Sequence, residues 1–353
     1  MLLLTNEHVQ QVLSMATCIA ILRRFFEEAS AGRVLSRPRT ECWLPREEAS
    51  GFYQCKTMEG GVPYLGRHVL RIDSNVSEEK AQGPATRVEH RPLVQGGWMG
   101  SLLVFDTATG ALLGIMPDGF LQRTRVGALY ALAADYLARR DARNVGLIGT
   151  GWQAGGQLLG LCCVRLIEHV RVYSPSPKHR EAFAHEMTRA LGVPVEAVDT
   201  ARRAVQDADI VALATNAGQK VADAEWAEPG QHVNSVRYRE LDPLLYDRAE
   251  VVVVNREESW IQHHYLEEQR PRDVILDPLP TVPPDRAIEA RTFFAKRGSR
   301  PRGDALTLFP NEASNYQIGG PFAAVASVVL DACREQELGR ALPLEWFAQT
   351  LHP

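Results

Sequence analysis

Short apolar runs alternate with helix-like segments through the middle of the chain. The runs occupy positions 145–148, 170–173, 210–214, 232–236 and 251–254. The segments between them carry apolar residues at helical spacing. Strands that alternate with helices are typical of a parallel sheet covered on both faces. The pattern therefore predicts a doubly wound α/β unit.

The flanking segments show a different pattern. Apolar residues recur at helical spacing from Val9 to Phe25, which predicts one helix that ends near Ala31. Two apolar runs at 101–106 and 111–116 are separated by Thr-Ala-Thr-Gly, which predicts a tight hairpin. The polar segment 76–99 is predicted to be a surface excursion.

Together these patterns predict an α/β fold with two domains. A Rossmann-type doubly wound sheet of residues 124–320 is expected to be inserted into a smaller α+β domain of residues 1–123 plus 321–353. The length of 353 residues agrees with two domains, because a domain spans roughly 100–200 residues. The proline-rich segment 270–302 is interpreted as either a lid or a surface loop.

Composition narrows the function classes. Lys and Arg number 39 against 43 Asp and Glu, so no basic excess favours nucleic acid as a partner. No apolar stretch approaches the roughly 18 residues that span a membrane, and the first residues show no secretion signal. The six cysteines form no CxxC pair or zinc spacing. We expect a cytoplasmic protein with reduced thiols and no metal site.

The most specific motif follows the first apolar run of the α/β unit. The strand at 145–148 leads directly into Gly149, Thr150, Gly151, Trp152, Gln153 and Ala154, a G-x-G-x-x-A motif that opens a helix. The first glycine permits a tight turn, the second lets a pyrophosphate approach the backbone, and the alanine allows close packing of helix on strand. Free N–H groups at the helix start would bind the anion. The motif predicts a dinucleotide site.

The segment after the second strand indicates which dinucleotide is bound. An acidic residue here would bind the ribose 2′-hydroxyl of NAD(H), but the chain has Ser174, Ser176 and Lys178. Hydroxyl and basic groups receive a 2′-phosphate instead, so NADP(H) is favoured over NAD(H). Thr215 and Asn216 follow the strand at 210–214 and are predicted to line the nicotinamide side, although either could equally cap a helix.

Taken together, these motifs resemble the ornithine cyclodeaminase/mu-crystallin family over most of the chain. The resemblance rests on Thr-Arg-Val-Gly-Ala at 124–128, the glycine-rich loop, Gly-Gln-His-Val-Asn at 230–234 and Arg-Glu-Leu-Asp at 239–242. It implies a two-domain subunit, usually a homodimer, that uses NAD(P)(H) to oxidise or reduce the Cα–N bond of a small amino or imino acid. Some members are cyclodeaminases, and some chiefly bind small molecules.

The resemblance also implies how the substrate carboxylate is held. Arg39 matches an arginine that precedes the first strands of the family, and Arg125 matches one that opens the helix between the domains. A guanidinium suits this task because it holds a planar carboxylate through two hydrogen bonds. Arg39 could instead be a surface charge, and Arg125 could form a salt bridge between domains.

The chain departs from the family at the catalytic lysine. The corresponding strand reads Gly-Arg-His-Val-Leu-Arg-Ile at 66–72 and contains no lysine. Strand alternation places His68 on one face and Arg71 on the other. His68 is a candidate replacement as proton donor, because its pKa normally lies near neutral pH, although a histidine on an apolar strand face is more often packed. Arg71 could instead bind a second acidic group.

A second departure concerns the aspartate of the cyclodeaminases. The segment after Asn234 carries Arg237 and Tyr238 in its place, so a substrate ammonium would lose its partner. Asn311 and Asn315 near the C-terminal turn could line the nicotinamide, or they could serve only in a turn.

The resulting prediction is an NADP(H)-dependent oxidoreductase that transfers hydride at the Cα–N bond of an amino or imino acid, as an imine or ketimine reductase or an amino-acid dehydrogenase. Two alternatives stay open. One is an ornithine-type cyclodeaminase that releases ammonia, and the other is a non-catalytic protein that binds small molecules with NADPH.

Overall fold

The structure is a computed structural model of the 353-residue chain. It describes residues 1–46, 51–82, 85–93, 97–254, 262–265, 282–310 and 319–349.

The first of two sheets, the mixed sheet, has mostly antiparallel pairing. Its ten described strands are β1 (Leu2–Leu3), β2 (Leu35–Ser36), β3 (Thr40–Pro45), β4 (Phe52–Val62), β5 (Arg67–Gln82), β6 (Ala85–Arg91), β7 (Met99–Asp106), β8 (Leu112–Pro117), β15 (Gln262–Tyr265) and β18 (Arg340–Ala341). The order β15-β3-β4-β5-β7-β8-β1-β18 places β5 at the centre, between β4 and β7. Strand β5 has a further partner, β6, which pairs with the C-terminal part of β5.

The second sheet, the parallel sheet, is built from the middle of the chain. Its eight described strands are β9 (Asn144–Ile148), β10 (His169–Tyr173), β11 (Val195–Ala197), β12 (Ile210–Leu213), β13 (His232–Ser235), β14 (Val251–Val254), β16 (Ala287–Glu289) and β17 (Thr307–Pro310). They follow the order β11-β10-β9-β12-β13-β17-β14-β16, and every pair is parallel. The order reverses direction at β9, between β10 and β12. Ligands bind at such a switch point, beyond the carboxyl ends of the strands.

Helices cover both sheets. The described helices are α1 (Asn6–Val12), α2 (Met15–Ser30), α3 (Gly119–Leu137), α4 (Trp152–Val164), α5 (Pro177–Leu191), α6 (Ala201–Val205), α7 (Leu244–Arg248), α8 (Ala290–Ala295) and α9 (Gly319–Glu335). Helix α9 packs on β4 and β5, and α3 lies between α2 and α4. One apolar core joins α2, α3, α8 and α9 to the mixed sheet, while two further cores fill the faces of the parallel sheet.

Glycine allows α3 and α4 to approach closely. A Cβ on Gly127 would lie 2.2 Å from the carbonyl oxygen of Gly156, and one on Gly160 would lie 2.4 Å from the carbonyl oxygen of Gly127. Real side chains cannot make such contacts, so these positions admit only glycine without a shift of the helices. The contact fixes α3, which carries Arg125, against α4, which begins at the glycine-rich loop.

The α/β prediction is confirmed by the parallel sheet with helices on both faces and by the separate mixed sheet. The hairpin between β7 and β8 is confirmed as well. The single N-terminal helix is wrong, because Ser14 caps a new helix after α1 ends at Val12.

The polar segment 76–99 lies at the surface in part, since its described residues 90–93 and 97–99 are exposed. Within its described part, β5 continues to Gln82 and pairs with β6, so the mixed sheet extends here. The described portion of 270–302 contains β16 and α8, and Phe293 and Phe294 of α8 belong to the core. The remainder of that segment lies outside the described residues.

Candidate functional site

The glycine-rich loop connects β9 to α4 at the switch point of the parallel sheet. Gly149 adopts a φ of +115°, and a Cβ there would lie 2.2 Å from the carbonyl oxygen of Ala214. Its N–H donates to the carbonyl of Tyr173 across the sheet, at 2.9 Å. The loop therefore needs glycine at this position both for its turn and for its contact with the end of β12.

Gly151, by contrast, faces open space. It is the N-cap of α4, has an extended backbone, and a Cβ on it would meet no protein atom within 4 Å. The first turn of α4 has no side-chain cap and no acidic residue. Uncapped amides at the start of a helix bind anions. The space beside Gly151 thus fits a pyrophosphate, and buried Ala154 packs the helix onto the strand.

Other side chains frame this loop. Thr150 and Gln153 are partly buried, and Gln153 Oε1 is buried without a hydrogen-bond partner among the described residues. Trp152 is exposed, and the guanidinium of Arg123 lies 4.1 Å from the centre of its ring. An arginine thus lies beside the predicted phosphate site, a position that the motif alone did not indicate.

The segment after β10 lies next to the loop. Ser174 is buried and donates to the carbonyl of Ser176 at 3.3 Å, while the Ser176 hydroxyl caps α5. Arg180 donates to the carbonyl of Ser174 at 3.1 Å. Lys178 is exposed in the first turn of α5. The two hydroxyls thus have structural partners, and Lys178 is the basic group that remains available to a ligand.

Glu240 joins the carboxyl ends of β12 and β13. It is fully buried and accepts from the backbone N–H of Thr215 and, at 2.9 Å, of Arg237, as well as from the Ser235 hydroxyl at 3.1 Å. Burial raises the pKa of its carboxyl despite these donors. Glu240 positions Thr215 beside the glycine-rich loop, and Asn216 follows as an exposed residue.

A second group of polar residues lies on one face of the mixed sheet. Glu41 of β3, Lys56 of β4 and Asp73 of β5 stand directly opposite one another on three neighbouring strands. We call these three residues the charged row. Side chains paired across antiparallel strands lie about 4.5–5.5 Å apart at Cβ. Arg39 extends the cluster, with its Nε 2.7 Å from a carboxylate oxygen of Glu41.

Arg71 lies on the same face of β5 and is almost fully buried. Its guanidinium is 2.5 Å from Asp118, at the start of α3, and 3.3 Å from Asp73. It also lies 4.9 Å from the ring centre of Phe322 on α9. Two carboxylates therefore neutralise Arg71, which leaves little of its charge for a second acidic substrate group.

Arg125 on α3 reaches the same space from another direction. It is 4% exposed, and its guanidinium lies 4.5 Å from the ring centre of Phe322. Its Nε has no hydrogen-bond partner among the described residues. Burial, and then the positive charge of Arg71, lower the pKa of Arg125 to about 10. A buried guanidinium without a described carboxylate is poised to receive an anion.

Sequence reasoning missed Lys56. Among the described residues it forms no ion pair within 4 Å, unlike Arg39 and Arg71. Its side chain is partly accessible, yet protein groups crowd it. This desolvation, and then the charge of Arg39, lower its pKa to about 8. The sequence did contain one signal, which is the lysine between Gln54 and Met58. These two residues share a face of β4 with Lys56, and both are buried.

His68 lies elsewhere. Its Nε2 is 3.7 Å from Glu59, and its ring faces Phe105. Strand alternation directs it to the face of β5 opposite Arg71, as the sequence indicated. The structure therefore brings Arg39, Arg71 and Arg125 together and keeps His68 apart from them.

His90 of β6 is influenced both by the charged row and by Arg237. His90 accepts or donates a hydrogen bond with Ser77 at 3.0 Å, and its surroundings include Lys56 and Arg237. Close packing, and then the charge of Lys56, lower its pKa to about 4, although the ring stays partly accessible. Arg237 follows β13, at the carboxyl edge of the parallel sheet.

Three sequence hypotheses lie outside this description. Asn311 and Asn315 are not among the described residues, nor is the side chain of Tyr238. Within the described part of the chain, no group of three or more His, Cys, Asp or Glu residues is arranged to hold a metal ion. No described helix is long and apolar enough to cross a membrane.

The fold and this site define a dinucleotide-dependent protein of known class. The model of the ornithine cyclodeaminase/mu-crystallin family matches residues 92–273, just over half of the chain. The chain belongs to the ornithine cyclodeaminase/mu-crystallin family, and the resemblance found in the sequence is confirmed.

Individual relatives agree with this assignment. The chain is 28% identical over 267 residues to Δ1-pyrroline-2-carboxylate reductase of Bacillus cereus, covering 74% of this chain and 77% of that protein. It is 28% identical over 162 residues to the rat ketimine reductase mu-crystallin, covering 44% and 50%.

A solved relative extends the agreement to the fold. The structure of Thermococcus litoralis Δ1-pyrroline-2-carboxylate reductase, in complex with NADH and L-proline, matches with a TM-score of 0.78 and 27% identity and covers 97% of this chain and all of that one. The expectation of an NAD(P)-dependent oxidoreductase for C=N bonds is confirmed at the level of the enzyme class.

Proposed function

We propose that the protein reduces a cyclic imino acid of the Δ1-pyrroline-2-carboxylate type to the corresponding cyclic amino acid, with NADPH as the favoured cofactor. The observation that supports this most is Arg125, a buried guanidinium without a described carboxylate partner. It lies on the helix that packs against the start of α4, so a carboxylate bound there would be near the nicotinamide side.

Each part of the site has a role in this proposal. The amides at the start of α4 bind the pyrophosphate, Lys178 receives the 2′-phosphate, and Thr215 and Asn216 line the nicotinamide side. Arg125, with Arg39 at the rim, orients the substrate carboxylate, which fixes the imine carbon relative to the cofactor. When bound, the nicotinamide supplies the hydride. Phe322 excludes water from the guanidinium side of the cluster.

The charge of the site disfavours a cyclodeaminase that acts on ornithine. Such a substrate carries a side-chain ammonium, whereas Arg237 follows β13 at the corresponding place. The three carboxylates in the cluster are Glu41, Asp73 and Asp118. Glu41 lies against Arg39, and the other two lie against Arg71. Reduction of an imine needs no ammonium site, so we rank it above cyclisation.

The test is consumption of reduced cofactor by purified protein. We expect loss of absorbance at about 340 nm with Δ1-pyrroline-2-carboxylate or its six-membered homologue, and a lower KM for NADPH than for NADH. Ammonia release from ornithine without net change in NADP(H) would replace the proposal with cyclodeaminase activity. Cofactor binding with neither activity would indicate a non-catalytic binding protein.

We also propose the division into residues 124–320 and residues 1–123 plus 321–353, although β15 from the first range pairs with β3 of the mixed sheet. A homodimer is proposed as the assembly. Exposed apolar side chains on the mixed sheet, including Leu44 and Met99, offer a surface for it. Analytical ultracentrifugation at micromolar concentration tests this assembly.

A further inference from the structure

We propose that Lys56, on β4, is the general acid that protonates the substrate nitrogen, and that this role has moved one strand away from the position where the family carries its lysine. This inference rests on the proposed reductase function. It assigns a catalytic residue to that reaction in this chain.

Lys56 lies on the face of the mixed sheet that carries the proposed substrate site. Lys56 stands between Glu41 and Asp73 in the charged row, one strand from Arg71 and on the same face of the sheet. The face is the one that packs against α9 and Arg125. A substrate whose carboxylate binds Arg125 would lie beside Arg71, and Lys56 is one strand from Arg71 on this face.

The ammonium of Lys56 is also available to a ligand. The carboxylates next to Lys56 are engaged by other groups: Glu41 by Arg39 and Gln54, and Asp73 by Arg71 and Asn75. In the described structure Lys56 itself has no ion-pair or hydrogen-bond partner. Its ammonium is thus free to donate to a ligand.

The charges around Lys56 also favour this role. The groups that face Lys56 are Arg39 just before β3, Glu41 from β3, Arg71 and Asp73 from β5, and His90 from β6, which in turn faces Arg237. Burial and Arg39 lower the pKa of Lys56 to about 8 against the effect of the two carboxylates. A lysine poised near neutral pH can both give up and regain a proton during turnover.

The proposed reduction transfers one hydride and one proton to the imine. The imine carbon gains a hydride and the nitrogen gains the proton of the Lys56 ammonium, so that C=N becomes CH–NH. The dinucleotide leaves oxidised, and Lys56 is left as a neutral amine that takes a proton from solvent. No further oxidant or reductant is needed.

The experiment compares Lys56→Met and Lys56→Arg with Lys296→Met, which removes an exposed lysine after α8. We expect both Lys56 variants to lose at least about 100-fold in kcat, as is usual for removal of a general acid, while the dissociation constant for NADPH stays within about twofold. In the unmodified protein, kcat should decline as pH rises through about 8. That decline should be absent from Lys56→Met. Lys296→Met should match the parent.

Other outcomes overturn the proposal. Lys56→Met with near-normal kcat removes Lys56 from the mechanism, and loss of activity in His68→Gln alone would assign the proton to His68. An arginine variant that restores full activity would show that charge, rather than proton transfer, is what matters.

A second measurement does not depend on turnover. Protein labelled with ¹³C at lysine Cε is titrated by NMR, with Lys56→Met to assign the signal. The proposal expects a midpoint near 8 and a shift of that midpoint when pyrrole-2-carboxylate is added. An ordinary midpoint of about 10.4 that does not respond to the acid overturns it. If the parent protein reduces no imine, the proposed function fails, and this titration still decides whether Lys56 has the required acidity.

Discussion

The two halves of the site bury polar groups in opposite ways. At the edge of the parallel sheet, backbone amides and glycines frame the proposed dinucleotide site, and within that sheet buried polar side chains are hydrogen-bonded to protein groups. His232, for example, is fully buried between Thr307 and Asn234, and burial lowers its pKa to about 3. On the mixed sheet, by contrast, charged side chains themselves form the proposed substrate site.

This difference follows from what each half must recognise. A pyrophosphate has the same shape in every dinucleotide enzyme, so fixed amides serve, and they keep their geometry without a counter-charge. In the proposed function, a small imino acid has to be held by its carboxylate and supplied with a proton. Both tasks require side chains that carry charge within the protein, at a cost in stability.

The sharpest test of this comparison is Arg125→Met. Loss of a guanidinium that binds the substrate carboxylate should lower kcat/KM for the imine by about 10²–10³-fold, since truncating a buried charge pair costs about 3–4 kcal/mol. The free energy of unfolding of the free protein should not fall, because a buried charge without a described partner is replaced by an apolar side chain.

Steady-state kinetics and urea unfolding measure these two quantities. Arg334→Met, which removes an exposed guanidinium from α9, is the control and should change neither. Activity within about threefold of the parent in Arg125→Met would contradict the assignment of the carboxylate.

The glycine-rich loop allows a matched pair of substitutions. Gly149→Ala should lower the free energy of unfolding by about 2–4 kcal/mol, because its φ of +115° and the carbonyl of Ala214 both exclude a Cβ. Gly151→Ala should leave stability almost unchanged, since its Cβ meets no protein atom. It should nevertheless weaken NADPH binding.

Urea unfolding and fluorescence titration with NADPH separate the two effects. If Gly151→Ala binds NADPH as the parent does, the pyrophosphate does not lie against this position.

His232 sharpens the contrast through pH. Its pKa is about 3 in the folded protein and 6.5 in the unfolded chain, so between these values only the unfolded state binds the proton. Stability should therefore decrease as pH falls below 6.5, by about 1.4 kcal/mol per pH unit from this group. His232→Gln should show a shallower decrease.

Urea unfolding at pH 7.5, 6.0 and 5.0 measures the difference between the two proteins. Above pH 7 their pH dependence should be parallel, because His232 is then neutral in both states. Equal slopes below pH 6 would mean that His232 is not buried in its neutral form.

The smallest expected effect concerns cofactor preference. Lys178→Glu should raise the KM for NADPH by about fivefold and leave that for NADH almost unchanged, because a single exposed charge is worth about 1 kcal/mol. Lys296→Glu, the same charge change at an exposed site after α8, should have no such effect. A KM for NADPH that does not change in Lys178→Glu would place the 2′-phosphate elsewhere.

The same contrast explains what could be predicted from the sequence. The loop from Gly149 to Ala154 is contiguous, and each of its residues has a local reason to be there, so both the fold of the parallel sheet and the loop could be predicted. Glu240, which holds the ends of two strands, lies in the segment 239–242 that carries part of the resemblance.

The charged row could not be predicted from the sequence in this way. Glu41, Lys56 and Asp73 become neighbours only through the register of β3, β4 and β5. A search for lysine restricted to 66–72 therefore led to His68, which alternation directs to the other face. Asp118 was missed for the same reason, because only the fold brings the start of α3 beside Arg71.

The position of α9 has a consequence for how the protein is made. Arg67 on β5 donates to Asp331 on α9, 264 residues later, and Phe322 of the same helix covers Arg71 and Arg125. Synthesis proceeds at about 5–20 residues per second. Tens of seconds therefore pass between the synthesis of β8 and that of α9, and these cations are uncovered during that time. The parallel sheet, too, has to admit β17 between β13 and β14 after both have been made. The site is therefore completed only after translation has passed α9, later than the glycine-rich loop.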